Sequence, residues 1–151
     1  MKPKTPLNVD LLRADFPILT REIGSANKKL IYLDSTATAQ KPTDVIDAMN
    51  DFYRLNNANI HRGVHTLAEE STAMYESGRE QVAALINASP REVIFTRNTT
   101  ESINLVAYSW ARTNLQAGDL IILTEMEHHS NLVPWQMLEA ERGVRLEFVP
   151  I

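Results

Sequence analysis

The chain has 151 residues, 44% of them hydrophobic and 23% charged, with a net charge of −4 and no cysteine. That length suffices for one domain with a real hydrophobic core, and the mildly negative balance gives no electrostatic reason to expect nucleic acid or an acidic membrane as a partner. Without cysteine there is no disulfide framework, thiolate metal site or cysteine nucleophile within these residues.

The opening residues, Met1 to Asn8, include Lys2 and Lys4 but no apolar segment behind them, which is not a secretory signal. No apolar run approaches membrane-spanning length, so a cytoplasmic protein is the expectation. Residues 8–16 predict a short capped helix stopped by Pro17. Residues 21–29 form a polar turn before a short strand at Leu30-Ile31-Tyr32-Leu33. A run of small polar residues follows, Asp34 to Pro42. Thr43 is expected to cap a helix to about Leu55, with Val45, Ile46, Met49, Phe52 and Tyr53 on one stripe. Asn56 to Asn59 break it, and the loop Ile60-His61-Arg62-Gly63-Val64-His65 leads to Thr66-x-x-Glu69. That is capping-box spacing at the head of a long helix to about Asn87.

After the turn at Ser89-Pro90 the rhythm becomes strand (92–96), helix (99–113), turn at Ala117-Gly118, strand (119–124), helix (131–142), Gly143 as C-cap and strand (145–150). The strands are apolar nearly throughout, as strands covered on both faces should be. Alternation of this kind implies a parallel α/β sheet with helices on its faces. The last apolar strand reads as cut rather than finished.

In such sheets ligands bind beyond the carboxyl ends of the strands. Two clusters fall there: Thr96 to Ser102, and Glu125 to Asn131. In the first, Asn98, Thr99 and Thr100 gather hydroxyls and backbone N–H groups at a helix N-terminus, where an anion such as phosphate binds. The same residues also serve plain capping, with Asn98 or Thr99 as the cap and Glu101 in the first turn. Neither a dinucleotide fingerprint nor a P-loop is present. His61 and His65 are four apart but flank Gly63 in a loop, and His128 and His129 are adjacent, so no metal site is expected. All five lysines lie in the first 41 residues, so a Schiff-base lysine beside this pocket comes from elsewhere unless Lys41 reaches it.

Four stretches in order closely resemble the group II (SufS/CsdA-like) cysteine desulfurases. They are Asp34 to Pro42, His61 to Thr66, Arg97 to Ala107 and Glu127 to Trp135. These are class V aminotransferase-fold enzymes that depend on pyridoxal 5′-phosphate (PLP), and the resemblance runs from about Val9 to Ile151. It implies the N-terminal part of the large domain of the PLP-dependent transferase fold (aspartate aminotransferase-like, fold type I), truncated. Residues 1–29 would be a segment that packs with a C-terminal domain outside this sequence, and residues 30–151 a partial PLP-binding domain.

By the same resemblance Thr99 and Thr100 would hold the cofactor phosphate. His128 would stack on the pyridine ring and assist proton transfer, as the catalytic residue within this stretch. Ser35, Thr36, Ala37, His61 and Arg62 would belong to loops that meet the substrate or a partner subunit, and Glu101 would lie near the dimer interface. Asn98 stands where the family commonly has glycine, and Thr36 where it has alanine. The Schiff-base lysine, the acid for the pyridine nitrogen, the sulfur-accepting cysteine and the substrate-clamping arginine would all come later in the chain. These 151 residues alone are therefore expected to be inactive.

The resemblance implies a homodimeric parent that takes L-cysteine to L-alanine. It leaves a persulfide on an enzyme cysteine and passes the sulfur to an acceptor protein for iron–sulfur cluster assembly, without nucleic acid or membrane as partner. The close rival is another member of the same fold, such as a selenocysteine lyase or an isopenicillin-N epimerase-like enzyme, because the cysteine loop that separates them lies outside these residues. A non-catalytic phosphate-binding domain is the alternative if the chain ends at Ile151. A metal hydrolase built on His61, His65, His128 and Glu127 ranks below both.

Overall fold

The computed structural model describes residues 7–25 and 27–151, and the chain divides at residue 90 into two units. The reading of Met1 to Pro6 lies outside the described residues. In the first unit Asn8 caps helix α1 (Val9–Ala14), its Oδ1 accepting from the Leu11 N–H at 3.1 Å. Pro17 then starts a 3₁₀ turn, Pro17–Thr20, because its fixed φ suits a first helical position and its ring forbids continuing α1. Strands β1 (Glu22–Ile23) and β2 (Lys28–Lys29) pair antiparallel where the sequence predicts only a turn. Of the stretch Leu30 to Leu33, predicted as a strand, only Leu30 extends the pairing, its N–H donating to Arg21 O at 2.9 Å; among the described residues 31–33 form no strand, and Leu33 is 92% exposed. Apolar composition is only a propensity; a strand also needs a neighbour to satisfy its backbone.

Helix α2 (Thr43–Asp51) runs into a π-helical turn, Phe52–Asn56, and α3 spans Thr66–Leu85. Both predicted caps shift by one residue. Pro42 holds the N-cap position of α2, while the N–H and hydroxyl of Thr43 donate to Asp15 O at 2.8 and 3.1 Å. His65 caps α3, its Nδ1 accepting from Ala68 N. A cap must have extended backbone, and His65 has it (φ −116°, ψ 157°), whereas Thr66 is already helical.

In the second unit α4 (Thr99–Leu105) continues through a π-helical stretch, Val106–Ala111, into α5 (Arg112–Asn114). Strand β3 (Leu120–Thr124), helix α6 (Val133–Arg142) and strand β4 (Arg145–Val149) follow. The strands pair parallel, from Leu120 opposite Arg145 to Thr124 opposite Val149, as the strand–helix–strand pattern requires. Gly143 ends α6 in the left-handed region (φ 70°), and its N–H closes on Glu139 O, the expected glycine cap. The core gathers Ala111, Leu138 and Val144, with Leu115, Ile121 and Trp135 packed around them. The Arg112 guanidinium grips Glu141 with two bonds of 2.7 and 2.8 Å, tying α5 to α6.

Two expectations fail here. Residues 93–96 form no strand, and among the described residues the parallel sheet has two strands, β3 and β4. Nor are the strands covered on both faces: Leu123 is buried, but Ile122 is 62% exposed, and Phe148 and Val149 are exposed. The core cluster lies on one side only, so alternate strand residues are left outward. Among the described residues, no helix is long and apolar enough to cross a membrane.

Candidate functional site

The head of α4 is built by local hydrogen bonds that use up some polar groups and leave others. Asn98 is extended, and its Oδ1 accepts from Glu101 N at 2.9 Å while its carbonyl accepts from Ser102 N. Glu101 reaches back: Oε2 accepts from Arg97 N at 2.6 Å, and the Arg97 guanidinium donates to both carboxylate oxygens at 3.2 Å. This reciprocal arrangement is that of a capping box, shifted by one residue. Thr96 Oγ1 and Ser102 Oγ share a bond of 2.6 Å, closing the turn. The Arg97 side chain and then its backbone N–H hold the Glu101 carboxyl below the usual carboxylate range, and Glu101 in turn raises Arg97.

Two threonine hydroxyls stay outside this network. Among the described residues the hydroxyls of Thr99 and Thr100 have no protein partner. Their N–H groups precede the first intrahelical bond, donated by Ser102. Two hydroxyls and two backbone donors at the positive end of a helix fit a phosphate monoester. The capping reading of this stretch finds its residues in Asn98 and Glu101, while the hydroxyls of Thr99 and Thr100 stay outside the network. An open cleft of about 630 Å³ flanks this helix, lined by Arg97, Asn98, Thr100, Glu101, Asn104, Leu105 and Tyr108.

The second cluster is braced by a relay that spacing alone did not announce. The Thr124 hydroxyl donates to Glu127 Oε1 at 2.7 Å, Asn131 Nδ2 to Glu127 Oε2 at 2.8 Å, and Trp135 Nε1 to Asn131 Oδ1 at 2.9 Å. The end of β3 is thereby fastened across the turn to α6. Thr124 first, then Asn131, hold the Glu127 carboxyl below its usual range. Glu127, Asn131 and Trp135 are each four apart, but only Trp135 lies in α6, so this spacing by itself does not bring the three side chains together.

Inside that frame the ring of His128 is fixed. Its Nδ1 accepts from Ser130 N at 3.1 Å and meets Ser130 Oγ at 2.9 Å, so the neutral ring carries its proton on Nε2. His129 stacks edge-on against it, centroids 6.2 Å apart. The turn His129–Asn131 packs beside α4, which brings the threonine pair and His128 into one neighbourhood of the second unit.

The other predicted residues lie in the first unit. Ser35, Thr36 and Ala37 form an exposed turn. Ser35 borders a cavity of about 320 Å³ with Phe16, Leu19, Tyr32, Ala39 and Gln40. His61 has a left-handed backbone (φ 61°), and its Nε2 meets Glu76 at 3.0 Å; Arg62 is exposed. Among the described residues, no group of three or more acidic or histidine side chains is placed to hold a metal ion.

The family profile Aminotransferase class-V matches residues 31–151. Among curated proteins, the chain is 55% identical over 141 residues to a probable cysteine desulfurase of Synechocystis, covering 93% of this chain and 33% of that protein. It is 54% identical over 145 residues to a cysteine desulfurase of Klebsiella pneumoniae, covering 95% and 35%. It thus spans about a third of the length of these relatives. Among solved structures, the apo cysteine desulfurase of Thermococcus onnurineus superposes with a TM-score of 0.82 at 40% identity, over 96% of this chain and 34% of that one. The Escherichia coli cysteine desulfurase CsdA superposes at 0.75 and 43% identity, over 97% and 35%. With the profile spanning both the threonine-headed helix and the braced histidine turn, the chain belongs to the class-V aminotransferase family.

Proposed function

We propose that this chain is the N-terminal part of a PLP-dependent cysteine desulfurase, with residues 30–151 contributing to the cofactor-binding domain and residues 1–29 packing against the C-terminal one. The observation that carries the reading is the pairing of spare donors on Thr99 and Thr100 with a fixed imidazole, His128, on the adjoining turn. The threonine hydroxyls and N–H groups take the cofactor phosphate, where the helix dipole adds to the attraction. His128, braced by Ser130 and by the Glu127–Asn131–Trp135 relay, lays its ring on the pyridine and keeps Nε2–H available to hold or move a proton. When bound, PLP supplies an electron sink for bond cleavage at the amino-acid substrate. Lysine, nucleophilic cysteine and carboxylate clamp come from the rest of the polypeptide. The substrate is L-cysteine, and the enzyme works as a cytoplasmic homodimer with Glu101 near its interface. It hands sulfur to an acceptor protein for iron–sulfur cluster assembly.

The test uses the full-length protein. It should purify with the visible absorbance of bound PLP and release alanine from cysteine. Replacing Thr99 and Thr100 together by alanine should weaken PLP retention on dialysis by about tenfold or more, since each lost charge-assisted bond is worth roughly 1.5–3 kcal/mol. Undiminished retention would remove the phosphate assignment.

A further inference from the structure

The turn between β3 and α6 puts a carboxylate next to His128 in the chain, and the partners of that carboxylate decide what it does. Glu127 Oε1 accepts from the Thr124 hydroxyl at 2.7 Å and from the Thr124 N–H at 3.3 Å, and Oε2 accepts from Asn131 Nδ2 at 2.8 Å. Both oxygens are engaged, and Thr124 first, then Asn131, hold the carboxyl below its usual range, so Glu127 is an ionised group that only accepts. At the far end of the same chain of bonds, the Trp135 indole N–H can only donate, and it donates to Asn131 Oδ1 at 2.9 Å.

Asn131 therefore stands between an obligate acceptor and an obligate donor. Its amide supplies one of each, which fixes its orientation: oxygen toward the indole, nitrogen toward the carboxylate. An aspartate of the same shape has no donor for Glu127. Asn131 and Trp135 are both half-buried, where water does not simply replace a lost bond.

The same residue also holds His128 directly. Its backbone N–H donates to His128 O at 2.8 Å while its side chain holds Glu127, which closes the turn over residues 127–131. Within that closed turn Ser130 N–H is aimed at His128 Nδ1 at 3.1 Å. A backbone N–H always presents a proton, so the neutral ring accepts at Nδ1 and carries its own proton on Nε2. The tautomer is thus imposed by the shape of the turn.

We propose that Asn131 is a positioning residue that fixes the tautomer of His128. By bridging Glu127 and Trp135 it holds the turn in the shape that sets Ser130 N–H on Nδ1, so that His128 meets its ligand as a donor through Nε2. This rests on the desulfurase reading for what His128 meets, and it gives Glu127 a framing role in place of proton transfer.

The test uses the full-length protein and two readouts. The first is the nitrogen NMR spectrum of the histidine rings in the PLP-free protein, with His128 assigned by the loss of its signals in His128→Gln. Where the ring is neutral, the unmodified protein should show the Nε2–H form. Asn131→Asp keeps the side-chain shape and the acceptor for Trp135 but sets a second carboxylate against Glu127, and should give a mixture of both tautomers. The second readout is cysteine kinetics with PLP bound: Asn131→Asp should lower kcat about tenfold with KM within about twofold, the scale of one lost positioning bond. The bond can be rebuilt in reverse. In Glu127→Gln combined with Asn131→Asp, the new amide at position 127 donates to the new carboxylate at 131, and both the Nε2–H form and most of kcat should return. Trp135→Phe removes the indole donor and should shift the tautomers in the same direction by less, which carries the test if Asn131→Asp does not fold. An unchanged tautomer in the folded variants overturns the proposal, as does a reversed pair no better than Asn131→Asp, or an Nδ1–H ring in the unmodified protein. If the unmodified protein neither retains PLP nor releases alanine, it is the desulfurase reading that has failed. The tautomer, read without cofactor, still decides the role of Asn131 in that case.

Discussion

Glu101 shows how one residue at the head of a helix closes a turn that others exploit. Its carboxylate neutralises Arg97 and takes the Arg97 N–H, and Asn98 caps the helix, so that among the described residues the hydroxyls of Thr99 and Thr100 have no protein partner. The consequence for pH follows from the direction of the shift. A carboxyl held below its ordinary range in the folded chain contributes stability that is complete above the ordinary carboxylate range. That contribution is lost as pH falls through the lowered value. An NMR titration of Glu101 should therefore give a midpoint below that of a free glutamate, returning to the ordinary value in Arg97→Ala. An ordinary midpoint in the unmodified chain would show that the Arg97 contact is not held in solution. Being exposed, the pair matters more for the geometry of the turn than for global stability.

At the scale of elements, the second unit depends on how α6, which joins β3 to β4, packs beside β4. Leu138 is 1% exposed and sits between Ala111 and Val144, while the helix is stopped by the left-handed Gly143. Gly143 has little tolerance for a side chain, because a Cβ there would lie 3.2 Å from that of Ala117. Leu138→Ala removes the central side chain of this small cluster and should cost about 2–5 kcal/mol. Denaturant unfolding followed by the fluorescence of Trp135, which packs on the same cluster, measures it. A loss under about 1 kcal/mol would mean that the cluster is not the core it is taken to be. The effect should reach the site, because Trp135 also ends the relay through Asn131 and Glu127 to Thr124.

For the molecule as a whole the balance of burial is unusual. Of the eight buried apolar residues among those described, four are alanine, so little apolar area is withdrawn from water. Meanwhile Leu33, Val64, Leu85, Ile94 and Ile122 are between 62% and 99% exposed. Apolar surface on this scale marks faces that other protein surface covers. The 151-residue chain on its own should bind an anilinonaphthalene dye strongly and melt without a sharp transition. A dye-silent chain with a cooperative melt would contradict this.

By itself the sequence determined the local elements and their chemistry. The stripe of α2, the alternation of β3, α6 and β4, the glycine stop at Gly143 and the Asn98 cap are all short-range features, written in neighbouring residues and present in the structure. The family was legible for the same reason, since its motifs are contiguous stretches. Only the tertiary structure decided what depends on residues far apart or on exact backbone angles. Which segments become strands was one such matter, and among the described residues 31–33 and 93–96 do not. Cap positions were another: His65 replaces Thr66 because its backbone, not its residue type, meets the requirement. So was the partnering of each polar group. Strings of Thr, Asn and Glu say that donors and acceptors are present. Only the folded geometry spends Glu127, Asn98 and Glu101 on the frame and, among the described residues, leaves the hydroxyls of Thr99 and Thr100 and the Nε2 of His128 without a partner.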